Sequence, residues 1–174
     1  MAGRRRSHGQ GSFWGDLIGR NPTDRGKAGS KRSLLVDGEG GPLSIVVAGA
    51  NVHDAKLLEA TLDAIVSQRP QPTEKAPQHL SLDKGYDNPS GHGAAAGHGY
   101  QAHIRRIGEE KLDTSGKKRY PARRWVVERT LAWLSKCRAV LVRYDKKASN
   151  YLGLLQLACA LLWFRRQWCL AILR

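Results

Sequence analysis

Residues 32–48 read RSLLVDGEGGPLSIVVA, and this stretch decides the fold class. Arg32-Ser-Leu-Leu-Val-Asp37 is a run of β type, Gly38-Glu-Gly-Gly-Pro42 is turn chemistry, and Leu43-Ser-Ile-Val-Val-Ala48 is a second β run. Two such runs about a Gly-rich turn predict an antiparallel hairpin. Their density of Leu, Ile and Val predicts strands that are largely buried.

Downstream of the hairpin the period changes. Asn51-Val-His-Asp54 reads as a helix start, with Asp54 as cap of an amphipathic stretch to Val66. Leu57, Leu58, Thr61, Leu62 and Ile65 make its apolar face. A Pro-rich loop over 67–77 leads to Gln78-His-Leu-Ser-Leu-Asp83, a short strand ending in an acid. Lys84-Gly-Tyr-Asp-Asn-Pro89 is again turn chemistry. A short helix over 90–99, a strand from Tyr100 to Ile107 interrupted by Arg105 and Arg106, and a charged loop over 108–119 follow. Pro121 suits the first position of a helix that runs to about Val140, with Val127, Leu131 and Leu134 at helical spacing. A second helix covers Asn150 to about Trp168, its broad apolar face made by Leu154, Leu155, Ala158, Leu161 and Leu162. Upstream, residues 1–30 are rich in Gly, Arg and Ser without a period, which predicts a mobile basic arm. The expected organisation is an arm over 1–30, one α/β domain over 31–168 with a mixed sheet flanked by helices, and a tail over 169–174.

Charge points to the partner. The 174 residues carry a net +14, unevenly placed. Residues 1–32 hold eight Lys and Arg against two Asp, residues 33–100 four against eight acids, and residues 101–150 fourteen against five. An acidic centre between basic flanks suits a binder of phosphate chains that also holds a metal. The acidic centre and the large apolar helices argue against a basic structural protein such as a ribosomal component. Three cysteines (Cys137, Cys159 and Cys169) show no ligand spacing and fit a reduced, cytoplasmic setting. The apolar run from Leu152 to Trp163 is about a dozen residues, too short to span a bilayer, so a soluble protein with no membrane partner is expected.

Two carboxylates stand out for chemistry. Asp83 ends a strand before a Gly-containing turn, at the rim where α/β sheets place ligands; it also reads simply as a turn-starting Asp. Glu128 lies within RRWVVER (123–129), either as a site residue or as a surface acid paired with Arg124 one turn earlier. Spacing alone does not choose. Phosphoryl transfer by two metals gives a reason to join them, because it needs clustered carboxylates holding ions about 4 Å apart. Mg²⁺ or Mn²⁺ is the cation such oxygen donors prefer. No P-loop, HExxH, GxSxG or dinucleotide fingerprint offers another site.

From Gly19 to Trp163, over four-fifths of the chain, the sequence resembles transposases of the IS-five group of insertion sequences. The segments that carry the resemblance are GRNPTDRGKAGSKRSLLVDGEGGPL, VVAGANVHDAKLLEATL, LSLDKGYDNPSG and RRWVVERTLAWLSKCRAVLVRYDKKASNYLGLLQLACALLW. The resemblance implies an RNase H-like catalytic domain of the DDE class, with Asp83 as the second catalytic carboxylate and Glu128 as the last, both metal ligands. It implies double-stranded DNA as partner, at the element's ends and target, in the nucleoid of a bacterial cytoplasm. Lys84, Arg105, Arg106, Arg123, Arg124, Arg129 and Lys136 are the expected DNA contacts. His53, Asp54 and Tyr120 are the expected supporting residues. Tyr120, Arg124 and Lys136 approximate the Tyr, Arg and Lys that accompany the family's Glu, with spacings off by about one residue.

One departure matters. The family's first catalytic Asp lies on a strand upstream of the segment seen here as GSFWGDLIGR, yet residues 1–10 read MAGRRRSHGQ. Asp16 and Asp24 fall in the expected arm, and Asp37 ends a hairpin strand without matching the motif. The expectation is therefore a domain incomplete at its N-terminal strand and inactive alone, either the product of a second reading frame that joins an upstream-frame segment or the trace of a decayed element, with a homo-oligomer as a further expected association. The competing expectation is a catalytically silent DNA-binding remnant.

Overall fold

The hairpin is longer than its β-branched core and forms the spine of the molecule. The computed structural model describes residues 9–10, 15–104 and 124–172. Short strands β1 (Gly9–Gln10) and β2 (Gly19–Arg20) precede the hairpin strands β3 (Ala28–Val36) and β4 (Pro42–Gly49). β3 and β4 pair antiparallel from Ser30 opposite Gly49, with a register shift between Leu35 and Val36 that brings Val36 opposite Pro42. The shift falls where β4 begins with proline, which has no N–H for the ladder. β1 and β2 also pair antiparallel with β3, near its start. Helix α1 (Ala55–Asp63), strand β5 (Gln78–Leu82), helix α2 (Pro89–Gly97) and strand β6 (Tyr100–Ile104) follow. β5 and β6 are parallel neighbours, as a strand–helix–strand crossover requires. Helices α3 (Arg124–Ser135), α4 (Arg138–Leu141) and α5 (Ala148–Ile172) complete the fold.

β3 is buried on both faces. Leu34 and Val36 point into one cluster with Ile45 and Val47 of β4, Val126, Val127, Leu131 and Leu134 of α3, and Tyr151 and Leu155 of α5. Leu35 points the other way, into a cluster with Leu58 and Leu62 of α1, Leu80 and Leu82 of β5, and Tyr86 and Ala95. A three-residue run with no exposed member is what a strand between two helical layers requires. The result is a mixed α/β fold with a central sheet flanked by helices, an arrangement consistent with an RNase H-like domain.

Polar ties hold the helices to this spine. At the hairpin tip, Asp37 Oδ1 accepts the amides of Glu39 and Gly41 at 2.9 and 2.7 Å. Gly40 adopts φ +94°, which side chains avoid, and a Cβ on Gly41 would lie 2.5 Å from the Trp163 ring. Thr130 Oγ1 of α3 donates to the Gly40 carbonyl at 2.8 Å, and Trp163 Nε1 of α5 donates to that of Pro42 at 2.7 Å. Midway along β3, buried Arg32 donates to the Val140 carbonyl at 2.6 Å. Buried Arg143 donates to the Asp145 and Lys146 carbonyls, each at 2.9 Å. Both guanidinium groups stack on Tyr151, whose burial raises its hydroxyl pKa while the Arg32 and Arg143 charges oppose the rise. Burial also pushes the Cys159 thiol up to about 11, so it packs as a small apolar side chain.

Several expectations change. Residues 15–30, read as part of a mobile arm, carry β2 and the first turns of a hydrogen-bonded loop. Buried Asn21 organises it: its backbone amide donates to the Lys27 carbonyl at 2.9 Å, and its side-chain oxygen accepts from the Thr23 amide and hydroxyl. No hydrophobic period signals such a loop, because side-chain hydrogen bonds build it. Asp54 makes no side-chain cap to α1; its carboxylate pairs instead with Lys31 at 2.8 Å, both side chains being largely buried. The helix expected to run to Val140 breaks after Ser135, where Cys137 turns to an extended conformation. Leu161, expected on the inner face of α5, lies outward at 40% exposure in a stripe with Leu157, Phe164 and Trp168. The end of the strand expected to reach Ile107, the charged loop and the Pro121 helix start lie outside the described residues.

Two measurements check this architecture. Leu34→Ala and Leu35→Ala each lower the unfolding free energy by about 2–5 kcal/mol, whereas Leu157→Ala changes it by about 0.5 kcal/mol or less; urea denaturation reports both. The second concerns His98, which ties α2 to α1 by bonding the Ala94 carbonyl and the Asp63 carboxylate, each at 2.9 Å. The Ala94 carbonyl, then Asp63, raise its pKa above the ordinary 6.5. A raised folded pKa adds stability that is complete below the unfolded value and is lost as pH rises through the folded one. His98→Asn therefore costs more at pH 5.5 than at pH 8, read as the difference in urea midpoint between variant and parent.

Candidate active site

Asp83 stands where β5 ends. Its backbone is still extended, at φ −76° and ψ 159°. Its Oδ1 accepts the Lys84 amide at 2.8 Å and its carbonyl accepts the Tyr86 amide at 2.9 Å. These bonds close a 3₁₀ turn over Lys84–Tyr86, anchored by the buried Tyr86 ring. Asn88 then caps α2: its Oδ1 accepts the Gly91 amide at 2.8 Å and the Ser90 hydroxyl at 2.7 Å. Pro89 occupies the first turn of that helix. A Cβ at Gly91 would lie 2.3 Å from the Tyr86 carbonyl oxygen, so only glycine lets the helix start so close to the turn. The DKGYDNPSG segment is thus a rigid corner that fixes a half-buried carboxylate at a strand end. Lys84 is exposed beside it.

Glu128 is half-buried on α3. Val126, Val127, Leu131 and Leu134 of that helix fill the cluster on one face of β3, while β5 and the Asp83 corner belong to the cluster on the other. β3 is their shared wall. Arg129, next to Glu128, lies between the Trp125 and Trp133 rings at 4.6 and 4.8 Å and donates to the Glu39 carbonyl. Its guanidinium therefore clamps the hairpin tip to α3. Lys136 is exposed just beyond the end of α3. Arg124 begins the helix, with its side chain outside the described residues, as are Arg105, Arg106, Tyr120 and Arg123. His53 accepts the Ala55 amide at 3.3 Å on Nδ1, next to the Lys31–Asp54 pair.

The remaining acids near these elements are engaged in the fold. Asp37 closes the hairpin turn and faces Arg166 at 3.5 Å. Asp63 and Asp87 meet His98 and His92 at 2.9 and 3.1 Å. Among the described residues no group of three His, Cys, Asp or Glu side chains gathers to hold a metal ion. By donor chemistry, Asp83 and Glu128 suit a hard divalent cation, but the described residues do not assemble a complete ligand set.

Sequence reasoning missed the structural work of Lys31, Arg32 and Arg143, whose charge it counted toward the basic surface. A signal existed for Arg32 only: it is two residues before Leu34 and four before Val36, on the same face of β3.

No helix among the described residues is long and apolar enough to cross a membrane. A family model described as the transposase DDE domain matches residues 4–163. A Burkholderia cepacia protein described as a transposase for insertion sequence element IS402 is 35% identical over 166 residues, covering 93% of this chain and 76% of the relative. No solved structure matches. With the strand-end acid and the acid-bearing helix both inside the matched span, the chain belongs to the DDE transposase family, among relatives of the IS402 and IS5 insertion-sequence transposases.

Proposed function

We propose that this chain binds the DNA ends of an insertion sequence and contributes two carboxylates, Asp83 and Glu128, to the metal-dependent cutting and joining of those ends. The observation that carries the reading is the corner at Asp83. Hydrogen bonds from the Asp83 and Asn88 side chains and within the turn, with a glycine contact, fix the backbone over Lys84–Gly91, a degree of order that a mere connecting turn does not need. A bound Mg²⁺ or Mn²⁺ would supply activation of the attacking oxygen and charge stabilisation on the leaving oxygen. The protein's own part is to orient the carboxylates and hold the phosphodiester, through Lys84 beside Asp83 and the basic residues 105, 106, 123, 124 and 136. Arg129 orders the hairpin tip against the helix that carries Glu128. Lys31 keeps Asp54 ion-paired at the start of α1, and His53 stands beside that pair.

Asp37, Asp54, Asp63 and Asp87 are each held by a partner within the fold, and no third ligand gathers with the pair among the described residues, so we assign the third carboxylate to a source beyond them. An upstream-frame segment carrying a strand-borne Asp is the source we favour. The RNase H-like sheet is then complete only when that strand is added.

A nicking assay on a duplex carrying the element's terminal repeats tests this. The chain alone retains DNA, with affinity falling steeply as salt rises, and cuts poorly in Mg²⁺. Adding the upstream segment raises cutting by at least tenfold, and Asp83→Asn or Glu128→Gln abolishes the gain without loss of DNA retention. Cutting that no addition restores, with retention unchanged by either substitution, identifies a silent DNA-binding remnant instead.

A further inference from the structure

The outer face of the β5–β6 pair carries a feature that the DNA chemistry does not use. β5 and β6 run parallel with Gln78 opposite Tyr100 and Leu82 opposite Ile104. Leu80 and Leu82 point inward and are 0% and 6% exposed. Alternation puts His79, Ser81, Gln101 and His103 on the opposite face, where both imidazoles are exposed. His79 is opposite Gln101 and His103 opposite Ser81, so the two rings are diagonal neighbours. Their centroids are 4.7 Å apart with planes at 53°, and His103 Nε2 lies 2.7 Å from His79 Nδ1.

We propose that His79 and His103 form a two-imidazole site for a borderline divalent transition ion such as Zn²⁺, Ni²⁺ or Cu²⁺. Two nitrogens bound to one such ion at about 2.0–2.1 Å stand roughly 2.9–3.4 Å apart. The present 2.7 Å separation reaches that range when both exposed rings turn so that their two nitrogens, now facing each other, converge their lone pairs on the ion. The backbones stay fixed, because five residue pairs set the register and the inward leucines are locked in the core. The two nitrogens share one proton as they stand; it passes to the other nitrogen of its own ring, and the ion takes its place. Water completes the coordination, so affinity is modest. Mg²⁺, which prefers oxygen ligands, does not compete. The ion links the strand that ends at Asp83 to its neighbour, and the site is independent of the carboxylate reading.

The experiment is thermal unfolding of the tag-free chain with Ni²⁺, Zn²⁺ or Mg²⁺, joined to Cu²⁺ electron paramagnetic resonance. Saturating Ni²⁺ or Zn²⁺ raises Tm by roughly 5 °C and Mg²⁺ does not, while the Cu²⁺ spectrum shows coupling to two nitrogens. His79→Ala and His103→Ala, both at exposed positions, each remove the shift and leave one nitrogen or none. His79→Gln, which keeps a polar side chain on the strand, does the same. His92→Ala and His98→Ala, the histidines paired with Asp87 and Asp63, leave both signals intact. No Tm shift in the parent chain, a shift that survives both His79→Ala and His103→Ala, or loss of the shift in His92→Ala overturns the proposal.

Discussion

The double burial of β3 is the constraint on which the rest depends. Leu34 and Val36 feed one apolar cluster and Leu35 the other, so neither helical layer has a core without this strand. A one-residue slip in register would exchange the two faces and leave both clusters mismatched. Ties at the hairpin tip and midway along β3 oppose such a slip. At the tip, Thr130, Arg129 and Trp163 hold backbone carbonyls of the turn. At mid-strand, Arg32 reaches across to α4 and Lys31 to the entrance of α1.

That arrangement explains why charge is spent inside the protein. Arg32 and Arg143 are 7% and 2% exposed, yet Arg32 Nη2 donates to the Val140 and Leu141 carbonyls, Arg143 donates to those of Asp145 and Lys146, and both lie over the face of Tyr151. Helix ends and tight turns leave carbonyls without partners, and a guanidinium with five donors satisfies several at once. These arginines are therefore structural, and the net positive charge overstates the surface open to a phosphate chain. Arg129 belongs in part to this group, because two indoles and a turn carbonyl already occupy it.

Much of the fold was legible in the sequence because it follows from period and punctuation. The hairpin, the α1 face of Leu57, Leu58, Thr61 and Leu62, the strand ending at Asp83, and the long last helix all stand where hydrophobic spacing put them. What was not legible depends on contacts between distant residues. The Asn21 loop is built from side-chain to backbone bonds with no pattern to detect, and Asp54 turned from capping to Lys31 because β3 brings an ammonium beside it. At the site, the DKGYDNPSG corner was readable as turn chemistry, whereas its close packing of Gly91 on the Tyr86 carbonyl depends on how the turn meets the helix. The pairing of His79 with His103 depends on strand register, which spacing alone does not supply.

The central claim is that the carboxylates at 83 and 128 serve one cation although their elements pack on opposite sides of β3. Iron-directed backbone cleavage reads this directly: Fe²⁺ with ascorbate and peroxide is added to the protein–DNA complex formed with the upstream segment. The account expects cuts beside both residues 83 and 128, suppressed together over the same range of Mg²⁺ concentration. Cleavage at one of the two without the other, or cuts that Mg²⁺ suppresses at different concentrations, would contradict it.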